Sequence, residues 1–403
     1  MAQNPRPWGR DLARPEIGEP GDRALPVRLL VVAHSLEHGG AEHSLLLLLE
    51  RLDRTAFDCL LAAPDGPMRD RFLRCCRPAV TLRRGYLPLT FQIPSYARAF
   101  YATVVNTMKL RRYIRRHPVD LVLTNTGVAL YGPLAAALCG VPGVTMMREI
   151  VSPPVVRSAL SRLLLRLNRR VIANSRAIVP AGDGQVPANL SVVPGGVELN
   201  RDRQAPTDAG LPTLPDGGPL VGLVGTVHPI KGHEAFLRMA AAVARRAPEA
   251  RFIIVGRYDD RSRYFQRLIR LRRRLDLNGR VLFTGFVEPI PVLLERITVL
   301  VITSMTEGFP RVALEAMAAA KPVVAFNVGG VSEAVEDGVT GRLIRFGQID
   351  AMADAVCRLL EDPEAARRMG NAGRARVEAS FTAERQADRI KALLLELAPG
   401  HEA

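Results

Sequence analysis

At 403 residues, 48% of them hydrophobic and 24% charged, the chain exceeds one ordinary domain and suits a globular protein of two domains of roughly 150–200 residues each. Its net charge of +15 favours an anionic partner. Nucleic acid is not the expected one, because no aromatic stacking motif, zinc pattern or other nucleic-acid module is present. No apolar run approaches the roughly 20 residues that cross a bilayer. The five scattered cysteines show neither metal spacing nor a pairing framework, which suits reduced thiols in a cytosolic protein.

Residues 1–26 are rich in Pro, Gly and charge without an apolar core, so a disordered tail is expected and a secretory signal is not. "VRLLVVAHS" then reads as a strand, and "GGAEHSLLLLLERL" as a helix entered through glycines. "FDCLLAA", "VDLVLTN", "GVTMM", "RVIANS" and "LSVVP" are further strand candidates. From residue 196 to 217 Gly, Pro and Asp dominate, the composition of a linker. The alternation restarts with "PLVGLVGT", "ARFIIVG", "RVLFTGF", "TVLVITS", "KPVVAF" and "GRLIRF". Short apolar runs separated by helices argue parallel sheets buried on both faces. The expected architecture is α/β, with two doubly wound Rossmann-like domains, residues 27–195 and 218–381, facing a cleft. The amphipathic segment 382–403 is expected to pack back across the domain junction.

The basic excess is gathered in patches: Met108–His117, Arg157–Arg170 and Arg261–Arg274. Arginines can snorkel from any solvated helix face. The first two patches are also amphipathic, which points to an anionic membrane surface as partner.

In open α/β sheets ligands bind beyond the carboxyl ends of the strands, so the residues just after each strand are the ones to inspect. "TVLVITS" is a strand, "MTEG" a loop, and "PRVALEAMAAA" begins with Pro, a favoured first helical residue. Glu307 lies in that loop. Glu315 lies near the middle of the helix, its side chain leaning toward the N-terminus. Both carboxylates can approach a point that also receives free backbone N–H groups, a natural diphosphate site. In "VGTVHPIKGH", Lys231 enters a helix through Gly232 and is a fair phosphate ligand. In "EHGGAEHS", paired glycines at a strand–helix turn let backbone N–H groups approach a ligand closely.

Together these stretches are identified as those of a retaining glycosyltransferase of the GT-B fold, in glycosyltransferase family 4. The resemblance runs from about Val27 to the C-terminal helix and is most specific over Glu307–Gly341, with the glutamates of "EGFPRVALE" eight positions apart. "GGAE", "ANS" and "HPIKGH" resemble weaker landmarks. The resemblance implies a nucleotide diphosphate sugar as donor and a glycan or lipid-linked acceptor, with no metal or other cofactor. Glu315 would bind the ribose and Lys231 the diphosphate. Glu307 and the amides of Gly308 and Phe309 would hold the sugar and phosphates. Gly39 and Gly40 would line the cleft from the opposite domain, and "GFVEP" would cradle the base, Val287 closest. With the reduced cysteines and the amphipathic basic patches, the expected location is cytoplasmic, peripheral on the inner membrane face.

The chain departs from the family in three places. Thr226 stands where a phosphate-binding arginine is usual. Arg148 and Glu149 occupy the region of a frequent histidine, which makes Arg148 the second catalytic candidate beside Glu307. "GG" (Gly195–Gly196) replaces a common "NG". A catalytically silent GT-B scaffold and a nucleotide-sugar epimerase are the alternatives. A nicotinamide enzyme is disfavoured because no G-x-G-x-x-G follows the first strand.

Overall fold

A computed structural model describes residues 25–86, 93–179, 187–199, 217–288 and 290–398. The proposed tail up to residue 24, and 200–216 of the proposed linker, lie outside these residues. The chain divides into two compact units.

Unit 1 comprises residues up to Ala173, Val179–Val193 and Ala387 onward. Its elements run β1 (Val27–Val32), α1 (Gly40–Arg51), β2 (Phe57–Ala63), α2 (Arg69–Leu73), β3 (Arg77–Thr81), α3 (Ile93–Arg116), β4 (Leu121–Thr124), α4 (Tyr131–Cys139), β5 (Gly143–Met147), α5 (Pro154–Leu167), β6 (Arg170–Ala173) and β7 (Leu190–Val192). The strands form one sheet in the order β3-β2-β1-β4-β5-β6-β7, every pair parallel. Alternation along β1 explains its continuous apolar run. Leu29 and Val31 enter one core cluster with α1, while Leu30 and Val32 enter another with Leu110 of α3 and Tyr131 of α4. A strand covered by helices on both faces needs apolar residues at every position.

Strand β3 is absent from the sequence reading. It is an edge strand, half-exposed along its length, and carries Pro78. Edge strands tolerate proline and need no apolar run, so no hydrophobic pattern announces it.

Unit 2 comprises Asn174–Ile178 and Pro194–Gln386. It contains β8 (Leu220–Val224), α6 (His233–Arg246), β9 (Arg251–Val255), α7 (Arg263–Arg274), β10 (Val281–Gly285), α8 (Ile290–Arg296), β11 (Val299–Ile302), α9 (Arg311–Ala318), β12 (Val323–Phe326), α10 (Val331–Ala334), β13 (Gly341–Ile344), α11 (Ile349–Glu361) and α12 (Pro363–Ser380). Its sheet is parallel in the order β10-β9-β8-β11-β12-β13. One face packs on α6 and α11, the other on α8 and α9. Helix α13 (Ala383–Leu397) starts in unit 2. Its Ala387, Ile390 and Leu394 belong to the core cluster that contains β1 and α1 of unit 1. Among the described residues no helix is long and apolar enough to cross a membrane.

Candidate functional site

In unit 2 the strand order reverses between β8 and β11. Loops leaving two such strands part to opposite sides and open a crevice at their carboxyl ends. Both principal candidates of this unit stand there. Lys231 ends a short 3-10 turn after β8, and Glu307 lies in the loop after β11. The Lys231 Nζ donates to Glu307 Oε1 at 2.7 Å, and the Ser304 hydroxyl donates to the same oxygen at 2.6 Å. The side chains are 32% and 12% exposed, so the pair is sheltered yet within reach of solvent.

The two loops are tied together by backbone. Met305 N–H donates to Ile230 C=O at 2.8 Å, and the Thr303 hydroxyl to Lys231 C=O at 3.0 Å. Gly232 sits at φ +68°, and a Cβ there would run into the Thr303 carbonyl. Only glycine meets both demands without strain.

Helix α9 begins at Arg311 with Pro310 as its N-cap, one residue later than the sequence reading. Pro310 has ψ 89°, which lies outside the helical region. Glu315 does lean back along the helix: the Arg311 Nε donates to its Oε1 at 2.8 Å. The Gly308 carbonyl accepts from the Ser175 hydroxyl at 2.5 Å. Phe309 is buried in the unit's core and packs against Phe381, centroids 5.7 Å apart. Its backbone, rather than its ring, is what it can offer a ligand. Thr226 stands two residues after β8, exposed and neutral. Val287 is also core. Its neighbour Phe286 is exposed, with the Arg257 guanidinium 4.8 Å above the ring. Neither of these two was singled out from the sequence.

In unit 1 the order reverses between β1 and β4. Gly39 is the N-cap of α1 and Gly40 its first residue. A Cβ on Gly39 would run into the Glu42 carboxylate, so the glycine makes room for that side chain. Arg148, after β5, donates from Nε to Asn125 Oδ1 at 3.1 Å and from Nη1 to Ser44 Oγ at 2.8 Å. Glu149 accepts from the Thr126 hydroxyl at 2.8 Å. His34 Nε2 lies 3.6 Å from Glu42 Oε1.

Glu42 stands in the first turn of α1, where the helix dipole favours a carboxylate. Burial wins: desolvation, opposed by a backbone N–H bond, Arg148 and Ser35 and reinforced by Glu149, raises its pKa to about 7. Burial, with Arg148 nearby, lowers His34 to about 4. Desolvation also raises Glu149. Nothing local in "GGAE" assigns Glu42 a part. Its signal was a carboxylate three residues beyond a helix-opening glycine.

Residues 209–376 match the family model "Glycosyl transferases group 1", and residues 38–201 match "Glycosyltransferase Family 4". The 2-deoxystreptamine glucosyltransferase of Streptomyces kanamyceticus is 28% identical over 65% of this chain and 73% of its own. The alpha-D-kanosaminyltransferase of the same organism is 30% identical over 72% of this chain and 80% of its own. Among solved structures, Anabaena HepE in complex with UDP and glucose aligns with a TM-score of 0.75 at 25% identity. The match covers 91% of this chain and 99% of that one.

Proposed function

We propose a retaining, metal-independent transfer to a lipid-linked or growing polysaccharide acceptor for this chain, which belongs to glycosyltransferase family 4 and takes its sugar from a nucleotide sugar. The observation that carries the reading is the Lys231–Glu307 contact at the unit 2 switch point, with Glu315 one turn into the helix that follows. Lys231 and the amides of Gly308 and Phe309 would hold the diphosphate, and Glu315 would accept from the ribose hydroxyls. The base would lie along the loop of Phe286 and Val287. Glu307, whose two bonds both end on Oε1, would take a sugar hydroxyl. Charge developing on the leaving diphosphate would then be met by Lys231 and the end of α9, without a metal ion.

The acceptor part of the reading rests on unit 1. The sequence picked out the basic run of α3. The structure adds an apolar stripe just before it: Phe100 (72% exposed), Tyr101, Val104 and Met108, continuing into exposed Lys109, Arg112, Arg115 and Arg116. Helix α5 exposes Val155, Val156 and Leu163 beside Arg162 and Arg166. Both helices pack against α4 and so lie on one side of the sheet. Apolar residues flanked by arginines suit a helix resting in an anionic bilayer interface, where each basic residue contributes about 1 kcal/mol.

The test begins with UDP-glucose, since HepE holds UDP and glucose, and extends to other nucleotide sugars with lipid-linked and soluble acceptors. An α-linked product from an α-linked donor, seen by NMR and unaffected by EDTA, is the expected outcome. A β-linked product would refute retention, and a sharp loss with EDTA would refute metal independence. Co-sedimentation with anionic but not neutral vesicles, weakened by salt, is expected. Equal, negligible binding to both would make the acceptor a soluble one.

A further inference from the structure

Arg311 is placed against the preferences of its own helix. It is the first residue of α9, where the dipole favours an acid and repels a cation. Its partner Glu315 follows four residues later, the less favourable order for an ion pair on a helix. The two side chains are 24% and 19% exposed, and an i,i+4 pair of this kind contributes only weakly to the stability of a helix. Only the Nε is spent on Glu315. The Nη1 is shut from solvent and has no hydrogen-bond partner among the described residues. A buried guanidinium N–H without an acceptor is costly, and such atoms are rare in folded proteins.

Electrostatics says what is missing. The cations Lys231 and Arg311 are each matched by a carboxylate, Glu307 and Glu315. Thr226, at the end of β8, is neutral. An incoming diphosphate adds several negative charges that this balanced set does not answer. A guanidinium can do so while keeping its carboxylate, because its fork offers donors in several directions, and phosphate oxygens match that fork.

We propose that Arg311 is a donor-binding residue whose Nε fixes the Glu315 carboxylate while its Nη groups hold an oxygen of the donor diphosphate. This rests on the donor reading above and names the second cation of that site. One side chain would then grip both the ribose ligand and the phosphate. The unfavourable cation at the helix start becomes favourable once an anion sits beside it.

The experiment titrates UDP, GDP, ADP and dTDP, and the nucleoside of whichever binds tightest, into wild type, Arg311→Gln, Arg311→Lys and Glu315→Gln. Calorimetry reads the diphosphates and ligand-observed NMR the nucleoside. The expected result for Arg311→Gln is a diphosphate affinity lowered at least about 10-fold, with nucleoside affinity within about threefold of wild type. Its melting temperature should be unchanged or raised, since the clash with the helix dipole is gone. Arg311→Lys should recover part of the loss, and Glu315→Gln should weaken nucleoside and diphosphate alike. Equal losses for both ligands in Arg311→Gln would overturn the proposal, leaving Arg311 to act only through Glu315. So would unchanged diphosphate affinity. If wild type binds none of the four diphosphates, the donor reading fails and this inference with it. If wild type binds and Arg311→Gln is indifferent, this inference alone fails.

Discussion

At the switch point of unit 2 the loops after the strands and the start of α9 carry two ion pairs, at 2.7 and 2.8 Å and partly open to solvent. At the switch point of unit 1 the same topological position holds a more deeply buried cluster. There, burial pushes Glu42 and His34 toward their neutral forms, and Arg148 is committed to Asn125 and Ser44. One parallel fold thus supports two kinds of polar site. Charges that pair loosely near solvent can exchange partners with a charged ligand. Polar groups locked in the interior mainly fix the backbone around them, because leaving any one unpaired is costly.

The largest effect that tests this contrast is on turnover. Glu307→Gln should lower kcat about 10²–10³-fold with KM within a few-fold, because its partner under the proposal is the transferring sugar. Normal turnover would reduce Glu307 to an anchor for Lys231.

In unit 1, Arg148→Ala should instead cost about 3 kcal/mol of stability, since two acidic neighbours lose their cation. Denaturant unfolding should show this loss, while nucleoside diphosphate affinity holds. An unfolding midpoint like that of wild type combined with a collapsed kcat would break the comparison and put Arg148 on the substrate.

Lys231→Ala and Glu315→Ala should each weaken nucleoside diphosphate binding roughly 10–150-fold, equivalent to about 1.5–3 kcal/mol, without unfolding the protein. Calorimetric titration checks this, and unchanged affinity in both would remove the donor site from α9.

The smallest effect is on pH dependence. Glu42 ionises near 4.5 when unfolded and about 7 when folded, so its contribution to stability falls as pH rises through that window. His34 ionises near 6.5 unfolded and about 4 folded, so its contribution rises with pH between those values. The two oppose each other in the wild type. Glu42→Gln removes the falling contribution, so relative to wild type its stability should gain up to about 1.4 kcal/mol per pH unit between pH 4.5 and about 7. Denaturant midpoints at three pH values read the slope, and a profile parallel to wild type would contradict it.

The sequence by itself determined most of the parallel architecture. The apolar runs of β1, β8 and β11 must be buried on both faces, and that requirement is written locally in every residue of the strand. It also pointed to Lys231, Glu307 and Glu315 as candidates, because they stand in short, recognisable stretches that follow a strand. Strand β3 was invisible, since an edge needs no apolar pattern. Tertiary structure alone decided which distant side chains meet. Lys231 and Glu307 are 76 residues apart, and Arg148 and Ser44 are 104 apart. The spacing of a motif carries no information on such pairings; the order of strands in the sheet sets them. Burial decided the rest. The depth of Glu42 in unit 1 pushes its carboxyl toward the neutral form, and depth is a property of the packed molecule rather than of any local stretch.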